Sequence, residues 1–484
     1  MVGVRIDGKD LTVPAGTTLL KVAQLADIDI PTLCHAEGFK PQTTCMVCVV
    51  RVEGIARLLP ACSTHVRGGE IIHSNSPEVL AARRANLELL LSEHAGDCEA
   101  PCHIACPAGT RIPQMLRAIR DGDLTTAAEI AAADLTLPRT LAHICPAPCT
   151  KVCRRGRSDT PVSIPFLHSH LPTGEISPAV PPIGKSVCVA GSGPAGLSAA
   201  ATLLNAGITC TVIERNQVPG GGLLTATAAD ATAQETLAEE IKNISSRPNI
   251  TFRYGEEIKT EQQITTLLTT HDAVILACGA TNVSSLARDR VYSAATAQGA
   301  KLAVRSIAAG RRIAQSLLRA WDLLPPEEPF FNSRLGSLDD AEMQVFLKET
   351  PAVAKKQTHP ADTSHLSQEA ARCLHCDCRG LDTCRLRKLA AQFGLKSSPQ
   401  PLPRRRRVQR NETHPAGLVY ESGKCILCGL CVALAEHRGD PLAMMHRGFA
   451  AQVAPALTDS LNEAIGSAAQ DYAALCPTGA MELP

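Results

Sequence analysis

SVCVAGSGPAGLSAAATLLNAGITCTVIERN, residues 186–216, reads as a buried strand, a GxGxxG turn, an alanine-rich helix and a second strand. Gly191, Gly193 and Gly196 let the backbone approach a pyrophosphate where Pro194 and Ala195 open the helix. Glu214, about twenty residues on, can accept bonds from a ribose. The centre of the chain is therefore a Rossmann-type βαβ unit. FAD and NAD share this fingerprint, so the spacing alone does not choose between them.

Working outward, 484 residues predict three or four domains at the usual ~100–200 residues each. A net charge of +1 with 20% charged residues gives nucleic acid no support from overall charge. The stretch Arg404 to Arg407 lies in a proline-bounded segment and reads as a solvated linker rather than a docking or anion site. No signal-peptide pattern opens the chain and no apolar run approaches the ~18 residues of a membrane span, so the expectation is a soluble, cytoplasmic protein.

Cysteine dominates the composition, with 21 residues in tight groups while aromatics make up 3%. In a chain without an export signal, grouped cysteines point to metal rather than to disulfides. The first group is Cys34, Cys45, Cys48 and Cys62. It follows two short alternating strands, MVGVRIDGKDLTV, and a helix within TTLLKVAQLADIDIP, the layout of a β-grasp ferredoxin. These spacings resemble the 2Fe-2S domain at the start of the large electron-transfer subunit of complex I and of NAD-linked hydrogenases and formate dehydrogenases. Thiolates suit ferric iron and bridging sulfide as soft anionic donors; a structural zinc site is the alternative.

HAGDCEAPCHIACPAG contributes His94, Cys98, Cys102 and Cys106, and HICPAPCTKVC contributes Cys145, Cys149 and Cys153. Two helical stretches, RIPQMLRAIRDG and LTTAAEIAAAD, lie between, with Pro113 suited to a first turn. This region resembles the N-terminal domain of the glutamate synthase small subunit and of dihydropyrimidine dehydrogenase, where two 4Fe-4S clusters share interleaved ligands. The resemblance implies one cluster on Cys98, Cys102, Cys153 and His94, and another on Cys106, Cys145, Cys149 and His168 from PVSIPFLHSH. Either histidine could instead be an ordinary surface or helix-capping residue.

RCLHCDCRGLDTC supplies Cys373, Cys376, Cys378 and Cys384, read as one further 4Fe-4S set with zinc as the alternative. KCILCGLC supplies Cys425, Cys428 and Cys431, completed by Cys476 in LCPTGAMEL, which matches one cluster of a bacterial ferredoxin. Cys188, Cys210 and Cys278 lie in apolar strand-like runs and read as buried small residues.

Beside the Rossmann fingerprint, VPGGGLL and HDAVILACGAT resemble the FAD domain of the glutamate synthase small subunit. This adds Arg215, Gly221, Gly222, Leu223 and Gly279 to the expected cofactor site and favours FAD. That family inserts an NADPH domain after the ACGAT-like strand, which needs on the order of 100 residues. Only about twenty separate Thr281 from GAKLAVRSIAAGRRIA, which resembles the closing helix of the FAD domain. The nicotinamide module is read as deleted. Ala294 and Ala295 also stand where the family has Gly-Asp, so a structural Rossmann relic competes with FAD binding.

The expected fold is multidomain, α/β and α+β. It comprises a β-grasp 2Fe-2S domain at 1–80 and a helical double-cluster domain at 81–175. A truncated Rossmann-type FAD domain covers 176–325, a helical linker with the four-cysteine set 326–400, and a single-cluster ferredoxin-like domain 401–484. The resemblances imply an electron-transfer subunit of a hetero-oligomer, with one 2Fe-2S cluster, up to four 4Fe-4S clusters and FAD. It would relay electrons between an NADH-oxidising flavin and iron-sulfur subunit and a hydrogenase or formate dehydrogenase subunit. An NAD(P)H-dependent oxidoreductase or glutamate-synthase-type electron donor is the alternative, and an assembly scaffold with structural clusters a third reading. No acid–base constellation for a substrate is visible, so no catalytic residue is assigned.

Overall fold

The sequence VGVRI-DG-KDLTV alternates on both sides of an Asp-Gly turn, and Asp7 and Gly8 both adopt positive φ (44° and 85°), as a two-residue hairpin requires. In a computed structural model they join β1 (Val2–Ile6) to β2 (Lys9–Val13) in register from Val2 opposite Val13 to Ile6 opposite Lys9. The structure describes residues 1–172, 180–279, 289–294, 302–348, 350, 365–396, 408, 410–411, 418–458 and 460–483. Arg404 to Arg407, Thr281 and Ala295 lie outside them. The chain divides into two units, Met1–Glu99 with Glu328–Glu349 and Cys376–Pro484, and Ala100–Glu327 with Thr350–His375.

In the first unit, α1 (Leu19–Leu25) starts at Thr18, whose hydroxyl accepts from the Lys21 N–H. Strands β3 (Val49–Val52), β4 (Leu59–Pro60) and β5 (Ile71–His73) complete a mixed sheet of order β2-β1-β5-β3-β4, in which β1 and β5 run parallel. Ile6, Leu19, Val22 and Ile72 are fully buried between sheet and helix. The cysteine loop between α1 and β3 is thus mounted on a packed frame. After α2 (Pro77–Ser92), the returning chain adds the strands Val419–Glu421 and Met481–Glu482, the helix Leu430–Arg438 and the hairpin Leu442–Met445 with Gln452–Pro455.

The second unit opens with short helices α3 (Pro101–Ala105), α4 (Ile112–Arg120), α5 (Leu124–Leu135), α6 (Pro138–Ile144), α7 (Pro148–Lys151) and α8 (Ile164–Ser169). All but α5 carry proline in the first turn, where its missing N–H costs nothing. Frequent helix ends are where cysteines are wanted: Cys106 follows α3 and Cys145 follows α6 as their C-caps.

The Rossmann segment then supplies β6 (Ser186–Ala190), α9 (Pro194–Leu204), β7 (Thr209–Glu214), α10 (Gly222–Thr227), α11 (Ala231–Ser245), β8 (Ile250–Tyr254), α12 (Glu261–Leu267), β9 (Ala273–Leu276), β10 (Val291–Ser293) and α13 (Ala303–Ala320). The five strands are all parallel, in the order β10-β9-β6-β7-β8. Cys188 and Cys210 are fully buried on β6 and β7, as small core residues. Strand order reverses between β6 and β9, so the loops after these two strands flank the crevice where such sheets bind nucleotides. Among the described residues, no helix is long and apolar enough to cross a membrane.

Helix α13 closes this layer by lying against α9 at Gly310, where an added Cβ would stand 1.9 Å from the Ala195 carbonyl oxygen. Gly310→Ala should therefore destabilise the second unit by about 1–3 kcal/mol through overpacking, although the exchange ordinarily stabilises a helix by up to about 1 kcal/mol. Hydrogen exchange of the α9 amides reads the difference; increased protection would contradict the close approach.

Candidate iron-sulfur and flavin sites

Cys34, Cys45, Cys48 and Cys62 are all at most 5% exposed. The Cys45 N–H donates to Cys34 Sγ at 3.4 Å. The thiols interact in two pairs. The Cys45 hydrogen bond draws Cys34 down to about 5, and Cys48 likewise draws down Cys62, while their partners are driven up. Two pairs of thiols, each readily giving up a proton, suit two irons with two thiolates apiece.

In the second unit, Cys106, Cys145, Cys149 and His168 line one apolar cavity with Ile112, Leu135, Leu141 and Ile164. This is the set the sequence suggested. His168 is 7% exposed and its Nε2 has no hydrogen-bond partner. Burial lowers its pKa to about 4, leaving the imidazole neutral with a lone pair to donate. Burial pushes the Cys149 thiol up to about 12, helped by neighbouring Cys106 and Cys145. Metal charge would offset both burdens, since a coordinating thiol is deprotonated.

In two of the expected groupings the members fall in different units. Cys98 was paired with Cys102 and Cys153, but it falls in the first unit and they fall in the second. Its neighbours are Cys378 and Cys384: the Cys378 N–H donates to the Cys98 carbonyl at 2.9 Å, and burial together with Cys378 raises the Cys98 thiol to about 11. Cys384 is driven to about 12 by burial, with Cys378 and Cys98 adding to it. All three thiols are 7% exposed. The Ser333 and Arg387 N–H groups donate to Cys98 and Cys384 sulfur at 3.3 and 3.4 Å. His94 lies near the Lys424 side chain around Gly96, its Nδ1 buried without a partner and its pKa lowered to about 4 by burial and by the Lys424 ammonium.

Cys373, expected to share a set with Cys378 and Cys384, instead packs in the second unit with Cys102, Cys106, Cys149 and Cys153. The chain passes from one unit to the other between His375 and Cys376. The RCLHCDCRGLDTC run is therefore divided between two units.

Cys425, Cys428, Cys431 and Cys476 line another apolar cavity with Tyr420, Ile426, Leu430 and Met481. Burial raises Cys428 to about 12 and Cys431 well above its ordinary value. Thr44 of the first cysteine loop donates to the Cys428 carbonyl at 3.4 Å. Among the described residues no three His, Cys, Asp or Glu side chains converge on one ion. Ligands of a multi-iron cluster are divided among its irons, and so stand around a void rather than meeting at a point.

The nucleotide fingerprint is tightly built. Gly191 has φ of 104°, and a Cβ there would lie 2.7 Å from the Ala277 oxygen; one at Gly196 would lie 1.8 Å from the Gly191 oxygen. The Gly-Gly turn meets the first loop, since a Cβ on Gly221 would stand 3.0 Å from the Gly193 Cα. Gly222 and the buried Leu223 begin α10, and Gly279 at φ 79° follows β9. The exposed Arg215 pairs with Glu257 at 3.9 Å. Cys278, at the end of β9, bonds the Ala190 carbonyl.

Glu214, expected to face a ribose, already accepts from Ser192 N–H and Oγ at 2.9 and 2.6 Å and from the Asn216 N–H at 2.9 Å. Burial alone would raise its pKa, but these bonds outweigh it and the net shift is downward. The carboxylate pins the turn, and any ribose must use its remaining lone pairs. Ser192 was missed because its role appears only when β6 and β7 lie side by side.

Comparison with known proteins divides the chain in the same order. Residues 1–77 match the 2Fe-2S iron-sulfur cluster binding domain family, and 91–175 match the dihydropyrimidine dehydrogenase domain II, 4Fe-4S cluster, family. Residues 185–319 match the pyridine nucleotide-disulphide oxidoreductase family. The NADP-reducing hydrogenase subunit HndD of Solidesulfovibrio fructosivorans is 48% identical over 103 residues, 20% of this chain and 18% of that protein. The glutamate synthase (NADPH) small chain of Mycobacterium tuberculosis H37Rv is 34% identical over 193 residues, 38% of this chain and 39% of that protein. The NADP(+)-dependent formate dehydrogenase subunit beta of Moorella thermoacetica is 30% identical over 211 residues, 37% and 29% of the two chains. This chain spans 18 to 39% of the length of these relatives. It is thus built from a 2Fe-2S binding domain, a 4Fe-4S domain of the dihydropyrimidine dehydrogenase type and a flavin-binding domain of the pyridine nucleotide oxidoreductase type.

Proposed function

We propose that the chain is an electron-transfer subunit of a hetero-oligomeric, cytoplasmic redox complex. It would relay electrons between an NADH-oxidising flavin and iron-sulfur subunit and a hydrogenase or formate dehydrogenase subunit. The observation that carries this reading is the ligand inventory. Eighteen of the 21 cysteines and two buried histidines make twenty ligands, the number that five four-ligand clusters require. The sets this reading assigns within single units are Cys34, Cys45, Cys48, Cys62; His94, Cys98, Cys378, Cys384; Cys106, Cys145, Cys149, His168; and Cys425, Cys428, Cys431, Cys476. Cys102, Cys153 and Cys373 belong to the remaining one, and Cys376, which falls in the first unit, completes the count of twenty without a place in any of these sets.

Bound iron-sulfur clusters and FAD supply one- and two-electron carriers; the chain supplies their spacing and surroundings. One apolar core in the first unit includes Cys34, Cys45, Cys98, Cys384 and Cys428, so three ligand sets border the same dry interior. This suits transfer better than substrate chemistry. The finer fold reading follows: a β-grasp domain, a helical double-cluster domain, a Rossmann-type FAD domain without its nicotinamide module, and a ferredoxin-like end. The likeness to glutamate synthase small chain keeps the NAD(P)H-dependent oxidoreductase as the second reading.

Anaerobically purified chain should contain about 18 irons, the sum for one two-iron and four four-iron clusters, with one FAD. Dithionite should bleach it while NADH alone does not; rapid bleaching by NADH would favour the independent oxidoreductase, and clusters that no reductant bleaches reversibly would favour a scaffold. Cys98→Ser and Cys378→Ser should perturb the same paramagnetic species and Cys106→Ser a different one. If Cys98→Ser and Cys106→Ser act on one species, the ligand sets are wrong. His94→Ala and His168→Ala should each change the spectrum of a single cluster, and unchanged iron and spectra would remove them as ligands.

A further inference from the structure

Lys424 is a lysine with 3% exposure. Its ammonium bonds Glu421, itself 5% exposed, and Glu421 also takes the Arg410 guanidinium at 3.2 Å. Two cations thus face one anion, and Arg379 acts on the same carboxylate. Burial of a charge on these terms is costly unless its partners or its task demand it.

The lysine stem lies across the His94–Cys98 loop. A Cβ on Gly96 would meet its Cγ and Cε at 2.7 Å and His94 Nε2 at 3.2 Å, so only glycine leaves it room. The Ala95 N–H donates to the Gly423 carbonyl at 2.8 Å, which ties the two segments together. Beyond Gly96 the ammonium lies within hydrogen-bonding reach of the Cys378 sulfur. The Lys424 carbonyl accepts from Thr478 Oγ1 at 3.1 Å, and Cys425 is the next residue. Backbone and side chain of one residue therefore serve two different ligand sets.

We propose that Lys424 is a fixed buried cation that raises the reduction potential of the cluster held by His94, Cys98, Cys378 and Cys384. This rests on that ligand set. An ammonium beside a ligand sulfur favours the state carrying one more electron, and low local dielectric makes the attraction strong. Hydrogen bonds to sulfur, net charge and burial are the levers by which proteins set such potentials. Lys424 is a positioning and tuning residue, and touches no substrate.

The test is a dithionite titration of the anaerobically purified full chain, followed by paramagnetic resonance, with iron counted in every sample. Cys378→Ser first identifies the signal of this cluster; if no signal responds, the ligand set fails rather than the role of the lysine. Lys424→Met should then weaken reduction of that cluster at least tenfold, a shift of about 59 mV to lower potential for one electron, and Lys424→Arg should keep most of it. Glu421→Gln, which frees the ammonium from its counter-charge, should shift the potential upward. An unchanged potential in Lys424→Met with full iron overturns the proposal, as do shifts of the same sign in Lys424→Met and Glu421→Gln. Should Lys424→Met lose iron, a Glu421→Gln potential that does not rise is enough to overturn it.

Discussion

The Cys378 N–H donates to the Cys98 carbonyl, and with the Ala95 N–H on the Gly423 carbonyl this bond closes the first unit where its chain is interrupted. The chain leaves at Glu99 and comes back at Cys376, with Glu328–Glu349 as a further visit. Ser333, from that visit, holds Cys98 from both sides, its carbonyl accepting from the Cys98 N–H at 3.1 Å and its N–H donating to the sulfur. Residues from three separate stretches thus hold one thiol in place. A metal cluster on His94, Cys98, Cys378 and Cys384 would fasten the same junction covalently, so cofactor and fold would support each other there.

Burial sets the chemistry of every site. Thiols driven upward and imidazoles held neutral stay uncharged in an apolar interior, and become good ligands once a cation is present. The two histidines are informative because each keeps a buried nitrogen without a partner. Two strand cysteines show the contrast: Cys188 and Cys210 are buried but belong to apolar sheet faces. At the flavin segment the constraint is steric instead, as Gly196 and Gly310 allow backbones to touch where any side chain would push them apart.

Much of this was legible in the chain alone. The Asp-Gly hairpin, the prolines that open short helices and the GxGxxG turn are local, and each follows from backbone preferences over a few residues. The grouping of Cys106, Cys145, Cys149 and His168 was also legible, since all four sit within one run of short helices. Glu214 was found by its spacing, but its partners were not: Ser192 reaches it only across neighbouring parallel strands.

What sequence by itself determined is the kind of chemistry, because twenty soft or neutral donors in tight groups specify iron-sulfur sites wherever they end up. Tertiary structure decided which donors lie together. Cys98 lies four residues from Cys102 in sequence yet packs with Cys384 and bonds Cys378 through the backbone, since a unit of more than two hundred residues is inserted between them. Lys424 was equally silent, a lone lysine before a cysteine triplet. Its importance comes from where its side chain is buried, and burial is a property of the packed fold rather than of neighbouring residues.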